Sequence, residues 1–165
     1  MSATLILGID PGLNRCGWGL VASEGSRLSH IAHGVITPRR DQQLASRLLA
    51  LFEELGAVLD AHNPREVAVE ETYVNSNARA ALALGQARGV ALAAAARRGV
   101  VVAEYSPATI KKAIVGTGGA DKAQIAFMVR RLLPAAGEVS ADAADALGVA
   151  LCHAAHAGSR RGMGR

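Results

Sequence analysis

Leu5-Ile6-Leu7-Gly8-Ile9-Asp10-Pro11-Gly12 is apolar at nearly every position up to Asp10, and Pro-Gly then closes it. A short continuous apolar run bounded by turn residues is the pattern of a strand buried on both faces. Pro11 lacks the N–H that a ladder would use, and Gly12 accepts the positive φ of a tight turn, so the strand stops at Asp10. Asp10 is therefore a carboxylate at the tip of a dry strand, where a charge is costly without a partner. Taken alone, Asp-Pro-Gly reads equally well as a turn aspartate capping its own backbone. The balance shifts because the chain supplies further acids in equally apolar settings.

Working outward, residues 16–22 predict a second strand and residues 27–37 a third, joined by a hairpin through Ser23-Glu24-Gly25-Ser26. Leu44, Leu48, Leu51, Leu55 and Val58 recur at helical spacing to about residue 62, where Asn63-Pro64 ends the helix. Residues 67–73 predict a fourth strand, apolar until Glu70 and Glu71. Asn75-Ser76-Asn77 opens a long helix through residue 98 with Gly99 as its C-cap, and residues 100–104 form a fifth strand. Ser106-Pro107 begins a short helix carrying Lys111 and Lys112, and a Gly-rich loop from Val115 to Ala120 follows. Asp121 caps a helix running to residue 133, and Ser140 starts the last helix, to about residue 157.

An antiparallel meander followed by strand–helix alternation predicts an α/β fold: a mixed five-stranded sheet flanked by helices. Residues 1–157 form a single domain, and residues 158–165 a basic, disordered tail. Half of the 165 residues are apolar but only 3% are aromatic, so the core is built from Ala, Val, Leu and Ile. Eighteen Lys and Arg against 14 Asp and Glu favour an anionic partner, mildly. Cys16 and Cys152 stand apart, with no metal or disulfide spacing, and read as small buried hydrophobes in a reducing compartment. No signal peptide is expected at the start of the chain, and Arg79, Gln86 and Arg88 interrupt the Ala-rich helix, which argues against a membrane span. A cytoplasmic protein is expected.

Asp142 and Asp145, three apart, share one face of the final helix. Acids favour a helix's first turn, where the macrodipole is positive, which accounts for Asp142. It does not account for Asp145, a turn deeper among Ala, Leu and Val. Neighbouring parallel strands ending in Asp10 and in Glu70 or Glu71 would converge with this helix face. Carboxylates crowded in a low dielectric stay protonated unless a cation neutralises them. Hard oxygen donors with no His or Cys at ligand spacing point to Mg²⁺ or Mn²⁺. Two such ions about 4 Å apart activate water and stabilise the leaving oxygen in phosphodiester cleavage.

Ile9-Asp10-Pro11-Gly12, Val69-Glu70, Leu84-Gly85-Gln86-Ala87-Arg88-Gly89-Val90-Ala91 and Ala141-Asp142-Ala143-Ala144-Asp145-Ala146-Leu147 resemble the motifs of the RuvC family. The likeness runs from about residue 5 to residue 157. It implies a ribonuclease H-like fold, a homodimer, and Mg²⁺-dependent resolution of Holliday junctions by paired symmetric nicks, with Mn²⁺ able to substitute. It also implies partnership with the RuvA and RuvB branch-migration proteins. By the same likeness Asp10, Glu70 (rather than Glu71), Asp142 and Asp145 are the metal ligands, two ions per site. Lys111 and Lys122 lie near the scissile phosphate, where a fixed cation steadies developing charge. Tyr73 falls where the family has a base-stacking aromatic, worth about 1–3 kcal/mol per base.

Arg15, Arg79, Lys112, Arg39 and Arg40 remain general candidates for phosphate contact, and His62, His153 and His156 read as surface or tail residues. Gly85 and Gly89 clear a stripe on the long helix, either for the protein's own sheet or for a two-fold partner that sets two sites on one junction. Gly8-Ile9-Asp10 also resembles the phosphate loop of actin-like ATPases and sugar kinases, but those need two lobes and the length supplies one. A junction-binding protein without catalysis is the third alternative.

Overall fold

The computed structural model describes residues 2–71 and 76–162; Tyr73 and Asn75, singled out above, lie outside the described residues. Five strands form one sheet in the order β3-β2-β1-β4-β5: β1 (Thr4–Asp10), β2 (Cys16–Glu24), β3 (Arg27–Ile36), β4 (Glu66–Glu70) and β5 (Val101–Tyr105). β1, β2 and β3 are an antiparallel meander, whereas β1, β4 and β5 run parallel. The hairpin turn is tighter than the sequence predicts, because β2 continues through Ser23 and Glu24 and the chain reverses at Gly25, with φ +60°.

The helices are α1 (Leu44–His62), α2 (Ala78–Ala96), α3 (Pro107–Val115), α4 (Lys122–Leu132) and α5 (Ala141–Gly162). Side chains alternate across the strands and divide the core into two layers. Leu7, Ile9, Val67 and Val69 meet Leu51, Leu55 and Leu59 of α1 and Ala87, Ala91 and Ala94 of α2. Ile6, Val21 and Ala68 face Ile110, Ile114, Ile125, Val129 and Leu147 on α3, α4 and α5. Both thiols are buried in these layers. Burial pushes each up to about 12, so neither is a nucleophile at neutral pH.

Three glycines decide where α5 lies. A Cβ on Gly8 would sit 2.1 Å from the Ala146 carbonyl oxygen, one on Gly17 2.1 Å from that of Asp142, and one on Gly19 2.6 Å from the Leu147 side chain. Only strands bare of side chains there let α5 rest backbone to backbone on β1 and β2. α5 runs five residues past the expected boundary at residue 157, and Ser159 Oγ donates to Ala155 O, 3.2 Å away, within it.

His153 is a correction. Far from lying on the surface, it is 2% exposed, and its ring nitrogens meet Glu66 Oε2 at 2.6 Å and the Tyr105 hydroxyl at 2.9 Å. Eight residues after Asp145 on the same helix face, it belongs to the buried side of α5 and ties that helix to β4 and β5. No helix among the described residues is long and apolar enough to cross a membrane.

Candidate active site

β1 and β4 are parallel and paired Ile9 to Val69, so their next residues, Asp10 and Glu70, leave the sheet side by side. Ser140 Oγ caps α5 through the Ala143 N–H at 3.3 Å, and the helix carries Asp145 over the same sheet end. Pro107 at N1 of α3, with Ser106 Oγ accepting from Thr109 N at 3.1 Å, starts the helix that brings Lys111. An Asp121–Gln124 capping box, both bonds 2.8 Å, starts α4 at Lys122. Asp10, Glu70, Asp145, Lys111 and Lys122 thus line one pocket of about 260 Å³, floored by Pro107, Ile110 and Ile125. Glu71 does not line it; its backbone N–H continues the ladder, donating to Tyr105 O at 2.8 Å.

The electrostatics are those of crowded, half-dry acids. Burial, and then the charge of Glu70, push the Asp10 carboxyl up to about 8, and the proton it keeps is shared with Glu70 in a hydrogen bond. Burial also raises Glu70 and Asp145. Lys122 Nζ stands 3.5 Å from Asp145 Oδ2, and that carboxylate raises the ammonium in turn. A proton on Asp10 and a lysine beside Asp145 supply part of the positive charge that the cluster lacks.

Asp142 is placed differently. It lies on the neighbouring groove, with Arg15 Nε 2.6 Å from its Oδ2. That groove borders the pocket at Asp10 and is lined by Asn14, Arg15, Arg47, Asn77 and Arg79. Among the described residues no three of His, Cys, Asp or Glu stand as a ready-made metal-holding group. The donor set nevertheless fits a hard divalent cation. Its atoms are all carboxylate oxygens, three of the four acids share one pocket, and the protonated Asp10 marks uncompensated negative charge.

Lys112, on α3, lines neither the pocket nor the groove, and Arg39 pairs with Asp41 at 2.6 Å. Arg47 escaped the sequence reading because nothing local distinguishes it. Its Nη2 donates to Leu13 O at 3.0 Å and to Asn14 Oδ1 at 2.8 Å, and its buried Nε has no hydrogen-bond partner.

A meander continued by two parallel strands, with acids at the shared end of β1 and β4 and on a helix laid across them, defines the ribonuclease H-like class. The RuvC family model, "Crossover junction endodeoxyribonuclease RuvC", matches residues 6–153. A relative from Caulobacter sp. (strain K31), named crossover junction endodeoxyribonuclease RuvC, is 62% identical over 149 residues, 90% of this chain and 88% of its own. The structure of T. thermophilus RuvC in complex with Holliday junction substrate superposes with a TM-score of 0.88 at 33% identity, covering 95% of this chain and 96% of that one. The yeast mitochondrial Holliday junction resolvase shares the fold, with a TM-score of 0.67 at 15% identity over 94% of this chain and 82% of its own. The chain belongs to the RuvC family.

Proposed function

We propose that this chain is a structure-selective endonuclease that resolves four-way DNA junctions, with Asp10, Glu70, Asp142 and Asp145 holding two Mg²⁺ ions. One observation carries the reading: acids from β1, β4 and α5 meet two lysines in a single pocket, beside a groove lined by arginine and asparagine. The ions, when bound, polarise the attacking water and stabilise the leaving oxygen of the phosphodiester.

The chain's own residues do the rest. Lys111 and Lys122 face the place where a phosphate would sit and balance its growing negative charge. Arg79 and Asn77, at the start of α2, and Asn14 receive the strand on the groove side. Asn77 does so from a fixed position, because its Oδ1 also caps α2 through the Ala80 N–H at 3.1 Å. Lys112 adds phosphate affinity from outside the pocket, and Tyr73 stacks on an exposed base.

Two nicks on one junction call for two sites related by a two-fold axis. α2 is suited to form that axis. A Cβ on Gly85 or Gly89 would meet nothing within 4 Å, so the stripe is not spent on the protein's own sheet, and Leu82 on the same face is 68% exposed. RuvA and RuvB would deliver the junction, and the cytoplasm is where all these partners meet.

A synthetic mobile four-way junction tested against linear duplex decides the matter. We expect paired nicks in the junction only, dependent on Mg²⁺ or Mn²⁺. The Asp10→Asn variant should bind the junction and leave it whole. Equal cutting by that variant, or ATP hydrolysis in place of cutting, overturns the reading.

A further inference from the structure

We propose that Arg15 is an exchangeable counter-ion for Asp142. In the free protein its guanidinium holds that carboxylate on the groove side. When a DNA strand enters the groove, the guanidinium passes to a backbone phosphate and releases Asp142 to the metal site. The inference rests on the reading that the four acids hold divalent metal.

Asp142 and Asp145 share a face of α5 yet border different spaces. Asp145 lines the pocket with Asp10 and Glu70, whereas Asp142 lines the groove beside Arg15. The Arg15 Nε contact at 2.6 Å is the one ion pair Asp142 makes among the described residues. Its side chains are 49% and 31% exposed, so water screens the pair and little is lost when it breaks. A phosphate offers a guanidinium the same two-oxygen face as a carboxylate and carries its charge into the same groove.

The backbone beneath Arg15 does not need to move. Arg47 bridges to Leu13 O and Asn14 Oδ1 and anchors the β1–β2 loop, leaving the Arg15 side chain as the mobile part. Exchange of this kind makes strand binding and metal binding favour one another, and the coupling is reciprocal. The complete set of four acids then assembles only where a strand lies in the groove, which restrains the free enzyme from stray hydrolysis.

The test is a Mn²⁺ titration, by calorimetry or by the electron paramagnetic resonance of free Mn²⁺, on the full chain with and without a nuclease-resistant four-way junction. Arg15→Gln should tighten Mn²⁺ binding by the DNA-free protein about three- to fivefold, the range of a wet ion pair, and shrink the gain produced by DNA by a similar factor. Arg15→Lys should fall between. Unchanged DNA-free affinity in Arg15→Gln, or an undiminished gain from DNA, overturns the exchange. Asp10→Asn, titrated alongside, separates the two levels. If it loses Mn²⁺ while Arg15→Gln behaves like the parent, only the exchange fails. If it binds Mn²⁺ as well as the parent, the metal site itself falls, and the exchange with it.

Discussion

Gly8 and Ala146 are in backbone contact: a Cβ added to Gly8 would lie 2.1 Å from the Ala146 carbonyl oxygen and 2.6 Å from the Ala150 nitrogen. β1 ends in Asp10 two residues beyond Gly8, and α5 presents Asp145 one residue before Ala146. The separation of these two acids is therefore set by the absence of one methyl group. Gly8→Ala should force α5 off the sheet. It should cost at least the ~1–3 kcal/mol of an overpacked core, lowering Tm by about 2–12 °C in a thermal melt and abolishing cutting. A variant that melts like the parent would show that the helix does not rest on β1.

The Lys122 side chain is almost wholly exposed, at 86%, and is tied to Asp145 by a single charged contact of 3.5 Å. Lys122→Gln should thus leave folding untouched and lower the single-turnover cleavage rate on saturating junction by about 10²-fold, the usual effect of removing one fixed positive group from a developing anion. An unchanged rate would remove Lys122 from the reaction.

Asp10 gives the metal-free protein a pH dependence of defined sign. Its pKa rises from 3.8 to about 8 on folding, so between those values the folded chain keeps a proton that the unfolded chain has released. Its contribution is neutral below pH 3.8, turns unfavourable as pH rises, and levels off above about 8. Asp10→Asn should flatten that slope and raise Tm at pH 8.5, as should Mg²⁺ added to the parent. Melting curves across pH 4–9 check this, and a parent that gains stability over the range would contradict it.

The α2 surface offers a test of assembly that spares the fold. Because a side chain at Gly85 has open space around it, Gly85→Arg should fold with the parent's secondary structure by circular dichroism but remain a monomer, its Tm no longer rising with protein concentration. Sedimentation velocity should find the parent dimeric and the variant monomeric. A dimer that survives the substitution would move the two-fold axis elsewhere.

Much of this was legible in the chain itself. The strand ending at Asp10 follows from an apolar run stopped by Pro-Gly, and α1 from leucines at helical spacing over Leu44–His62, because both patterns are local and burial enforces them. Asp10 and Asp145 stand out because acids among apolar neighbours need a reason, whereas Asp142, at home in the first turn of α5, enters only by sharing a helix face with Asp145. Glu70 and Glu71 could not be separated by spacing. The parallel register does so, sending Glu70 out beside Asp10 while Glu71 continues hydrogen bonding to β5.

What only the tertiary structure decided are relationships between distant residues. Arg15 and Asp142 are 127 positions apart, and Arg47 acts on a loop more than 30 residues earlier. His153 looked like a tail residue until Glu66 and Tyr105 closed around it. Gly8 weakens its strand locally, and its purpose appears only once α5 lies on it. Local patterns in a sequence report which surfaces each element must bury. Which charges end up neighbours depends on how those buried surfaces fit together, and that fit is a property of the packed chain alone.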